Sequence, residues 1–355
     1  MRVVIVGAGE VGSNIAASLA DSHDVVVVDV DPERVEEVKY SLDVLAIEGD
    51  GASIDTLEEA GVADADLLIA STDDDETNLA TCGTAKALGD PFTIARVKQV
   101  GFLRTWERSR GAFDVDFMVC SNLVAAEDIV QVIGLPAAVN VEQFAQGLVQ
   151  MAEFEIGESS SVAGQTVSEA DQYELLTFAA ILRDDDVEIP DGDSRIEAGD
   201  RVVVIGMPKA VHEFALTAAP TRMPNDATNV IVVGGGEIGF QTAQLLQERG
   251  LSPRLVERDP ERARELAEQL SETVVLQMDA TDTDALEREN VGTADVVVAA
   301  LDSDQNSLFA ALVAKRLGAK RAVAVVEDGD HRDLFETVGV DAAVNPRVVT
   351  AEEIT

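Results

Sequence analysis

Short aliphatic runs alternate with amphipathic stretches along most of the chain. The runs fall at residues 3–6, 25–29, 44–47, 67–71, 92–97 and 115–120. Between them, apolar residues recur at helical spacing over 12–20, 32–40, 54–60 and 77–88. The last of these carries Leu79, Cys82, Ala85 and Leu88 as one core stripe. Near-continuous Val/Ile/Leu strands separated by such helices predict an α/β fold with a doubly wound parallel sheet. Strands covered by helices on both faces need no polar alternation.

The pattern then repeats. The opening MRVVIVGAGEVGSNIAASLA is echoed by NVIVVGGGEIGFQTAQLLQ from Asn229 onward. Gly7 matches Gly234 at an offset of 227 residues, and Asp29 matches Glu257 at 228. Asp50 with Asp279, and Asp66 with Asp295, match at 229. Four matches in order, drifting by two single-residue insertions, mean an internal duplication whose second copy runs to Val344.

Residues 141–216, between the copies, differ in character. Strands are expected at 149–156, 176–183 and 201–205, separated by turn-rich loops that include the acidic loop 184–193 and Glu197-Ala198-Gly199-Asp200. This reads as a small α+β module. A Pro-containing linker, 220–226, leads into the second copy. Ala351-Glu352-Glu353-Ile354 aligns with Ala126-Glu127-Asp128-Ile129, so the chain stops inside the counterpart of the helix that leads copy one into the module. The expected plan is a Rossmann-like domain at 1–125, a crossover helix and linker at 126–140, the module at 141–217 and a linker at 218–228. A second Rossmann-like domain follows at 229–347, with the start of a second crossover helix at 348–355.

Composition refines this picture. Hydrophobic residues make up 46% of the chain but aromatics only 4%, so small aliphatic side chains fill the cores. Sixty-seven acids face 26 bases, a formal net charge of −41, which argues against nucleic-acid or anionic-lipid binding. The acids are interleaved with periodic apolar residues, which excludes a disordered acidic tail and points to a halophile-type surface. At molar salt the Debye length falls to about 3 Å, and self-repulsion is screened. Two cysteines, Cys82 and Cys120, both in apolar surroundings, exclude a disulfide framework and favour a reducing cytoplasm. No signal peptide is expected, since Met1-Arg2 leads straight into a strand, and the uncharged stretch 129–141 is shorter than the roughly 20 residues of a membrane span. Any membrane role would be peripheral.

Gly7-Ala8-Gly9-Glu10-Val11-Gly12 is a G-x-G-x-x-G motif that follows a strand and opens a helix. Its first glycine permits the tight turn, the second lets a pyrophosphate approach the backbone, and the third lets helix and strand pack closely. The helix N-terminus offers free amides to phosphate. Gly234-Gly235-Gly236-Glu237-Ile238-Gly239 repeats it. Asp29 and Glu257 end the second strands, where a carboxylate accepts both ribose hydroxyls and repels a 2′-phosphate. This disfavours NADP but leaves NAD, ATP and ADP open. Asp50-Gly51 and Asp279-Ala280 follow the third strands, where they would border adenine. Ser71-Thr72 closes the fourth strand at the ligand-binding edge, and Arg96 ends the fifth as a candidate bidentate phosphate donor. Val325 replaces Arg96 in copy two.

Other features read as structural. Asp73-Asp74-Asp75-Glu76 is a solvated helix-capping turn rather than a metal site. His23, His212 and His331 are scattered, without catalytic or metal-ligand spacing, and no catalytic residue is assigned. Lys209, His212 and Tyr173 in the module show no local catalytic pattern, and Trp106 is a packing residue.

The stretches VVIVGAGEVG, IEGDGASIDTLEEAGVADADLLIASTDDDETNLA and TIARV in copy one resemble the RCK family, the regulators of potassium conductance, and most closely its TrkA-type members. EAGDRVVVIG in the module and QMDATDTDALERENVGTADVVVAAL in copy two extend the resemblance across essentially the whole chain. The resemblance implies the order N–C–N–C, of which this sequence carries N–C–N, expected either of a truncated chain or of a natural version lacking the second module. The resemblance implies gating of a Trk-type potassium-translocating membrane subunit from the inner face of the cell membrane. It also implies NAD(H), or alternatively ATP or ADP, bound at the N domains, and homo-oligomers such as dimers or tetramers. It carries nucleotide contacts onto Gly7 to Gly12, Asp29, Asp50, Ser71, Thr72 and Arg96, and in copy two onto Gly234 to Gly239, Glu257 and Asp279. Two other readings remain open: an NAD-dependent oxidoreductase and a stand-alone nucleotide-sensing scaffold.

Overall fold

The structure is a computed structural model that describes residues 1–109, 111–134, 138–144, 148–158, 160–173, 175–183, 186–218 and 229–355. Its contacts divide into two compact units, Met1–Ala125 with Asn345–Thr355, and Ala126–Val344.

In the first unit six strands form an entirely parallel sheet: β1 (Arg2–Val6), β2 (Asp24–Asp29), β3 (Leu45–Glu48), β4 (Leu67–Ala70), β5 (Phe92–Val97) and β6 (Phe117–Cys120). Their order is β3-β2-β1-β4-β5-β6, the doubly wound arrangement in which the strand order reverses between β1 and β4. The covering helices are α1 (Glu10–Ala20), α2 (Pro32–Ser41), α3 (Ile54–Glu59), α4 (Asp75–Leu88) and α5 (Val100–Arg108), and α6 (Ser121–Gly134) starts directly after β6. Alternate residues of each strand serve opposite faces. Val4, Val6, Val26 and Val28 join Leu57, Leu79, Cys82 and Ala85 on one face. Val3, Ile5, Val25 and Val27 join Val11, Ile15 and Ala16 on the other. The last helix of the chain, Pro346–Ile354, packs along α1 and adds Ala351 to that second cluster.

The second unit holds two sheets. An antiparallel sheet of order β10-β9-β11-β8-β7 is made by β7 (Ala138–Phe144), β8 (Val149–Glu155), β9 (Leu176–Arg183), β10 (Asp186–Glu188) and β11 (Arg201–Gly206), with helices α7 (Val167–Ala170) and α8 (Pro208–Ala218). Phe214 of α8 is fully buried at its centre, with the rings of Phe154, Phe178 and Tyr173 edge-on at 5.2, 5.3 and 5.8 Å. The other sheet is parallel: β12 (Val230–Val233), β13 (Arg254–Glu257), β14 (Val274–Gln277), β15 (Val296–Ala299), β16 (Arg321–Val325) and β17 (Ala342–Val344), in order β14-β13-β12-β15-β16-β17. Around it lie α9 (Glu237–Glu248), α10 (Pro260–Gln269), α11 (Thr283–Arg288), α12 (Asp304–Leu317) and α13 (Arg332–Thr337), and the closing helix is α14.

Ile129, Val130, Val132 and Ile133 of α6 lie buried in one core shared by the antiparallel sheet and the second parallel sheet. Buried Arg321 donates to the carbonyls of Val132 and Ala138, and Arg249 donates to that of Val130. Two cations thus meet the negative end of the α6 dipole.

Most elements lie within two residues of the sequence reading, and the departures have local causes. The strand expected at 115–120 begins at Phe117, because Phe113 and Asp114 adopt left-handed φ values of 66° and 53° in the turn before it. The crossover helix and linker expected over 126–140 instead end as α6 at Gly134, and β7 starts at Ala138. Antiparallel pairing with β8 makes the residues from Ala138 a strand, and 135–137 of the expected linker lie outside the described residues. The acidic loop 184–193 contains β10, whose three residues are all exposed, so no apolar alternation announced it. Asp184, Asp185 and the linker residues 219–228 lie outside the described residues. No helix among the described residues is long and apolar enough to cross a membrane.

Replacing Phe214 by Ala leaves a cavity that three rings line, and should cost about 3–5 kcal/mol of stability. Denaturant titration of the full chain in molar KCl measures this; a loss below ~1 kcal/mol would mean that the ring cluster is not the core of the antiparallel sheet.

Candidate functional site

Both parallel sheets open a cleft at the carboxyl ends of their strands, where the strand order reverses. The first has a volume of about 500 Å³ and the second about 370 Å³.

The glycine loops are forced at two positions and open at the third. Gly7 sits at φ +106°, and a Cβ there would lie 2.9 Å from the amide nitrogen of Thr72. At Gly12 an added Cβ would lie 1.8 Å from the carbonyl oxygen of Gly7, so only glycine lets α1 approach β1 so closely. At Gly9 the nearest atom would be Nη1 of Arg34 at 3.5 Å, an ordinary contact. Nothing in the protein excludes a side chain there, and the space it would fill belongs to the cleft. Copy two repeats the logic. Gly234 has φ +110°, a Cβ on Gly239 would lie 2.0 Å from the oxygen of Gly234, and Gly236 is open. Ala8 and Val11 are buried, Ile238 packs into the core, and Glu10 is half-buried at the cleft mouth. Glu237 accepts a hydrogen bond from Gln241 at 2.8 Å.

The strand-end acids clasp these loops. Asp29, only 7% exposed, accepts from the amide of Ala8 at 2.6 Å through one oxygen and from the amide of Asp31 at 2.8 Å through the other. Glu257 does the same with the amides of Gly235 at 2.9 Å and Asp259 at 2.7 Å. Each carboxylate oxygen retains a second lone pair for a sugar hydroxyl. A Cβ on Gly235 would lie 2.5 Å from Cδ1 of Leu266 and 2.6 Å from Oε2 of Glu257, so the longer acid and the leucine together fill that space. The shorter Asp29 tolerates Ala8 at that position.

Several expected contacts are occupied by the scaffold. Gly51 borders the cleft, but a Cβ there would meet Val6 at 2.0 Å, so packing already requires glycine. Asp50 accepts from the amide of Ala52, and Asp279 accepts from the amide and hydroxyl of Thr281. Those two bonds hold the Asp279 carboxyl below its usual range. The Ser71 hydroxyl is buried and donates to the carbonyl of Val6. The Thr72 hydroxyl donates to Asn78, a fully buried side chain that also donates to the carbonyl of Arg96.

The turn 73–76 corrects its sequence reading. Asp74 caps α4 through the amide of Thr77, as expected. Asp75 is not solvated; it is buried and accepts from the amides of Lys98 and Gln99. Asp304 repeats this bond with the amide of Glu327, and also lies 2.8 Å from Nδ1 of His331. Asp73 pairs with Lys98 at 2.9 Å and Arg96 at 3.4 Å. Burial pushes its carboxyl up, but the bond from Lys98 and the charges of Lys98, Arg96 and Arg347 outweigh this and hold it below the usual range. Arg96 is 5% exposed, lines the cleft, and donates from Nε to Ser121 at 2.7 Å.

Two kinds of cleft residue escaped sequence reading. Arg34 and Arg262 line the two clefts at equivalent positions, and Nε of Arg262 donates to the carbonyl of Gly235 at 3.0 Å. The signal was available, because Asp31-Pro32-Glu33-Arg34 recurs as Asp259-Pro260-Glu261-Arg262. Arg347 of α14 also lines the first cleft, and nothing local in its sequence marks it. Strand register confirms that Val325 occupies the Arg96 position, since β15 pairs with β16 as β4 pairs with β5. By the same offset of 229 Glu327 stands for Lys98, and by the offset of 228 that relates Asp29 to Glu257, Arg258 stands where copy one has Val30.

Trp106 packs edge-on against Phe117 and donates to the carbonyl of Val115. The Tyr173 hydroxyl donates to Thr217, and Lys209 is exposed. Cys82 and Cys120 are buried and unlinked, and burial pushes the Cys82 thiol up to about 12. Among the described residues no group of three or more His, Cys, Asp or Glu is placed to hold a metal.

Residues 3–115 and 230–346 match the TrkA-N domain, and 151–217 match the TrkA-C domain. The Trk system potassium uptake protein trkA homolog 1 of Methanosarcina mazei is 37% identical over 362 aligned residues, covering 100% of this chain and 88% of the relative. Among solved structures, the GsuK channel bound to NAD superposes with a TM-score of 0.70 at 19% identity, over 99% of this chain and 62% of that one. GsuK bound to ADP gives 0.61 at 15%, over 99% and 68%. At such identities the structural likeness is one of fold.

The contrast between the glycines is testable. Gly12→Ala should lower stability by at least about 1–3 kcal/mol, the range for overpacking. Gly9→Ala should change it by less than ~0.5 kcal/mol. Thermal unfolding of both variants measures the difference, and equal effects would refute this account of the loop.

Proposed function

The chain belongs to the TrkA family, and from that premise we propose that it is a nucleotide-binding regulatory subunit of a Trk-type potassium uptake system, not an enzyme. The observation that carries this reading is the twofold occurrence of one arrangement. A glycine loop opens a helix, a strand-end carboxylate braces the loop, and the second glycine faces open cleft. Helix amides and cleft arginines would hold the phosphates, and the remaining lone pairs of Asp29 and Glu257 would take ribose hydroxyls. The ligands we assign are NAD(H) or adenine nucleotides such as ATP and ADP. The names of the structural neighbours, one bound to NAD and one to ADP, support that choice. The proposed domain plan is N–C–N, with the N domains carrying the clefts and the antiparallel module between them.

In the mechanism we infer, a nucleotide that favours one arrangement of the domains shifts the assembly toward it. Its leverage equals its differential affinity for the two states, typically about 1–3 kcal/mol per site. The partners are a potassium-translocating membrane subunit, met at its cytoplasmic face, and further copies of this chain. The protein is peripheral to the membrane and binds no nucleic acid, in keeping with its net charge of −41.

Calorimetric titration of NADH, NAD, ATP and ADP in molar KCl tests the sites. Gly9 and Gly236 have φ values of −70° and −63°, which valine also adopts. Gly9→Val and Gly236→Val should therefore each remove one class of site while leaving thermal stability within ~0.5 kcal/mol of wild type. Binding unchanged in both variants, or turnover of a small hydroxy or amino acid with NAD, would overturn the proposal. A nucleotide-dependent change in potassium flux through a reconstituted Trk-type membrane subunit tests the regulatory role.

A further inference from the structure

Glu10 is the first residue of α1, beside the free amides that make this helix end attractive to an anion. An uncompensated carboxylate there would oppose a phosphate. The first unit compensates it from α14. Nη1 of Arg347 donates to Oε2 of Glu10 at 3.0 Å, and Nδ2 of Asn345 donates to Oε1 at 3.0 Å. Asn345 also caps α14, accepting from the amides of Arg347 at 2.7 Å and Val348 at 3.2 Å, so the position of Arg347 is fixed by the start of its own helix. The guanidinium lines the cleft together with Arg96, and its charge helps hold Asp73 ionised at the same end. Its side chain is one-third exposed.

Among the described residues that line the second cleft, no arginine is seen paired with Glu237. Glu237 is met by the neutral amide of Gln241, and the counterparts of Arg96 and Lys98 are Val325 and Glu327. We propose that Arg347 is a phosphate-reading residue of the first cleft, held ready by Glu10, and that the second cleft lacks its equivalent. This rests on the reading of the clefts as nucleotide sites. A phosphate bound at the α1 N-terminus exchanges places with the Glu10 carboxylate on the guanidinium, which presents two parallel donors to it. The first cleft then discriminates among adenine nucleotides by the length of their phosphate tail, and the second does so weakly.

The test titrates the full chain in molar KCl with adenosine, AMP, ADP and ATP, using Gly9→Val to identify the binding step that belongs to the first cleft. Arg347→Gln should weaken ATP at that step about tenfold, the worth of one charge-assisted bond, and adenosine less than twofold. Glu10→Gln should tighten ATP, and the second-cleft step should be unchanged in both variants. Equal losses for adenosine and ATP would mean that Arg347 only fastens α14, and would overturn the inference. So would an unchanged ATP affinity, or a loss in Glu10→Gln matching that in Arg347→Gln. Failure of wild type to bind any of the four ligands would instead remove the nucleotide reading on which the inference stands.

Discussion

An added Cβ on Gly12 would lie 1.8 Å from the carbonyl oxygen of Gly7, and one on Gly239 would lie 2.0 Å from that of Gly234. This approach of helix to strand governs what both clefts can do. It brings the start of α1 against the end of β1, so the helix amides open at the sheet edge. Asp29 and Glu257 then brace the loop from the neighbouring strand. A bond to a charged acceptor contributes more than a neutral one, roughly 1.5–3 kcal/mol, and here it holds a loop that carries no side-chain cap of its own. The scaffold and the ligand would share one carboxylate. A defect in that acid therefore disturbs the loop as well as any sugar contact.

Duplication preserved this frame while its chemistry moved. Asp29 stands with Ala8 in copy one and Glu257 with Gly235 in copy two, where the longer acid and Leu266 occupy the volume of the missing methyl. Charge also moved along the cleft. Copy one has Arg96 and Lys98 beyond the loop and Val30 beside the acid; copy two has Val325, Glu327 and Arg258 at those positions. On the proposed reading, two clefts with one backbone and displaced cations would suit different ligands. That is a useful property in a switch driven by differential affinity.

Periodicity made the two parallel sheets legible, because strands covered on both faces write their burial as unbroken aliphatic runs. The internal repeat made the glycine loops and strand-end acids legible as pairs. Arg34 and Arg262 apart, what escaped lacked a one-dimensional signature. β10 is exposed throughout, and β7 follows a helix stop inside an uncharged stretch. Asp75 looks like another solvated acid until two backbone amides from the β5 end are seen to converge on it. Ser71 and Thr72 stand at the expected edge, but their hydroxyls serve Val6 and Asn78. Arg347 is the extreme case, since its relation to Glu10 spans 337 residues. No motif of fixed spacing describes such a pair.

The net charge of −41 constrains how any anionic ligand is held. At low salt the whole chain would repel a nucleotide over roughly 10–30 Å, and at molar salt that field shrinks to about 3 Å. The same screening removes long-range attraction toward the few cations present. Only donors in contact with the ligand then retain their effect, and their orientation matters more than their number. Arg96, seated on Ser121, and Arg347, fixed by the Asn345 cap, meet that requirement in a way that mobile surface lysines would not. On the proposed reading, an acidic protein at high salinity would have reason to bury or brace arginines that meet phosphate, and in the first cleft Arg96 is buried and Arg347 braced.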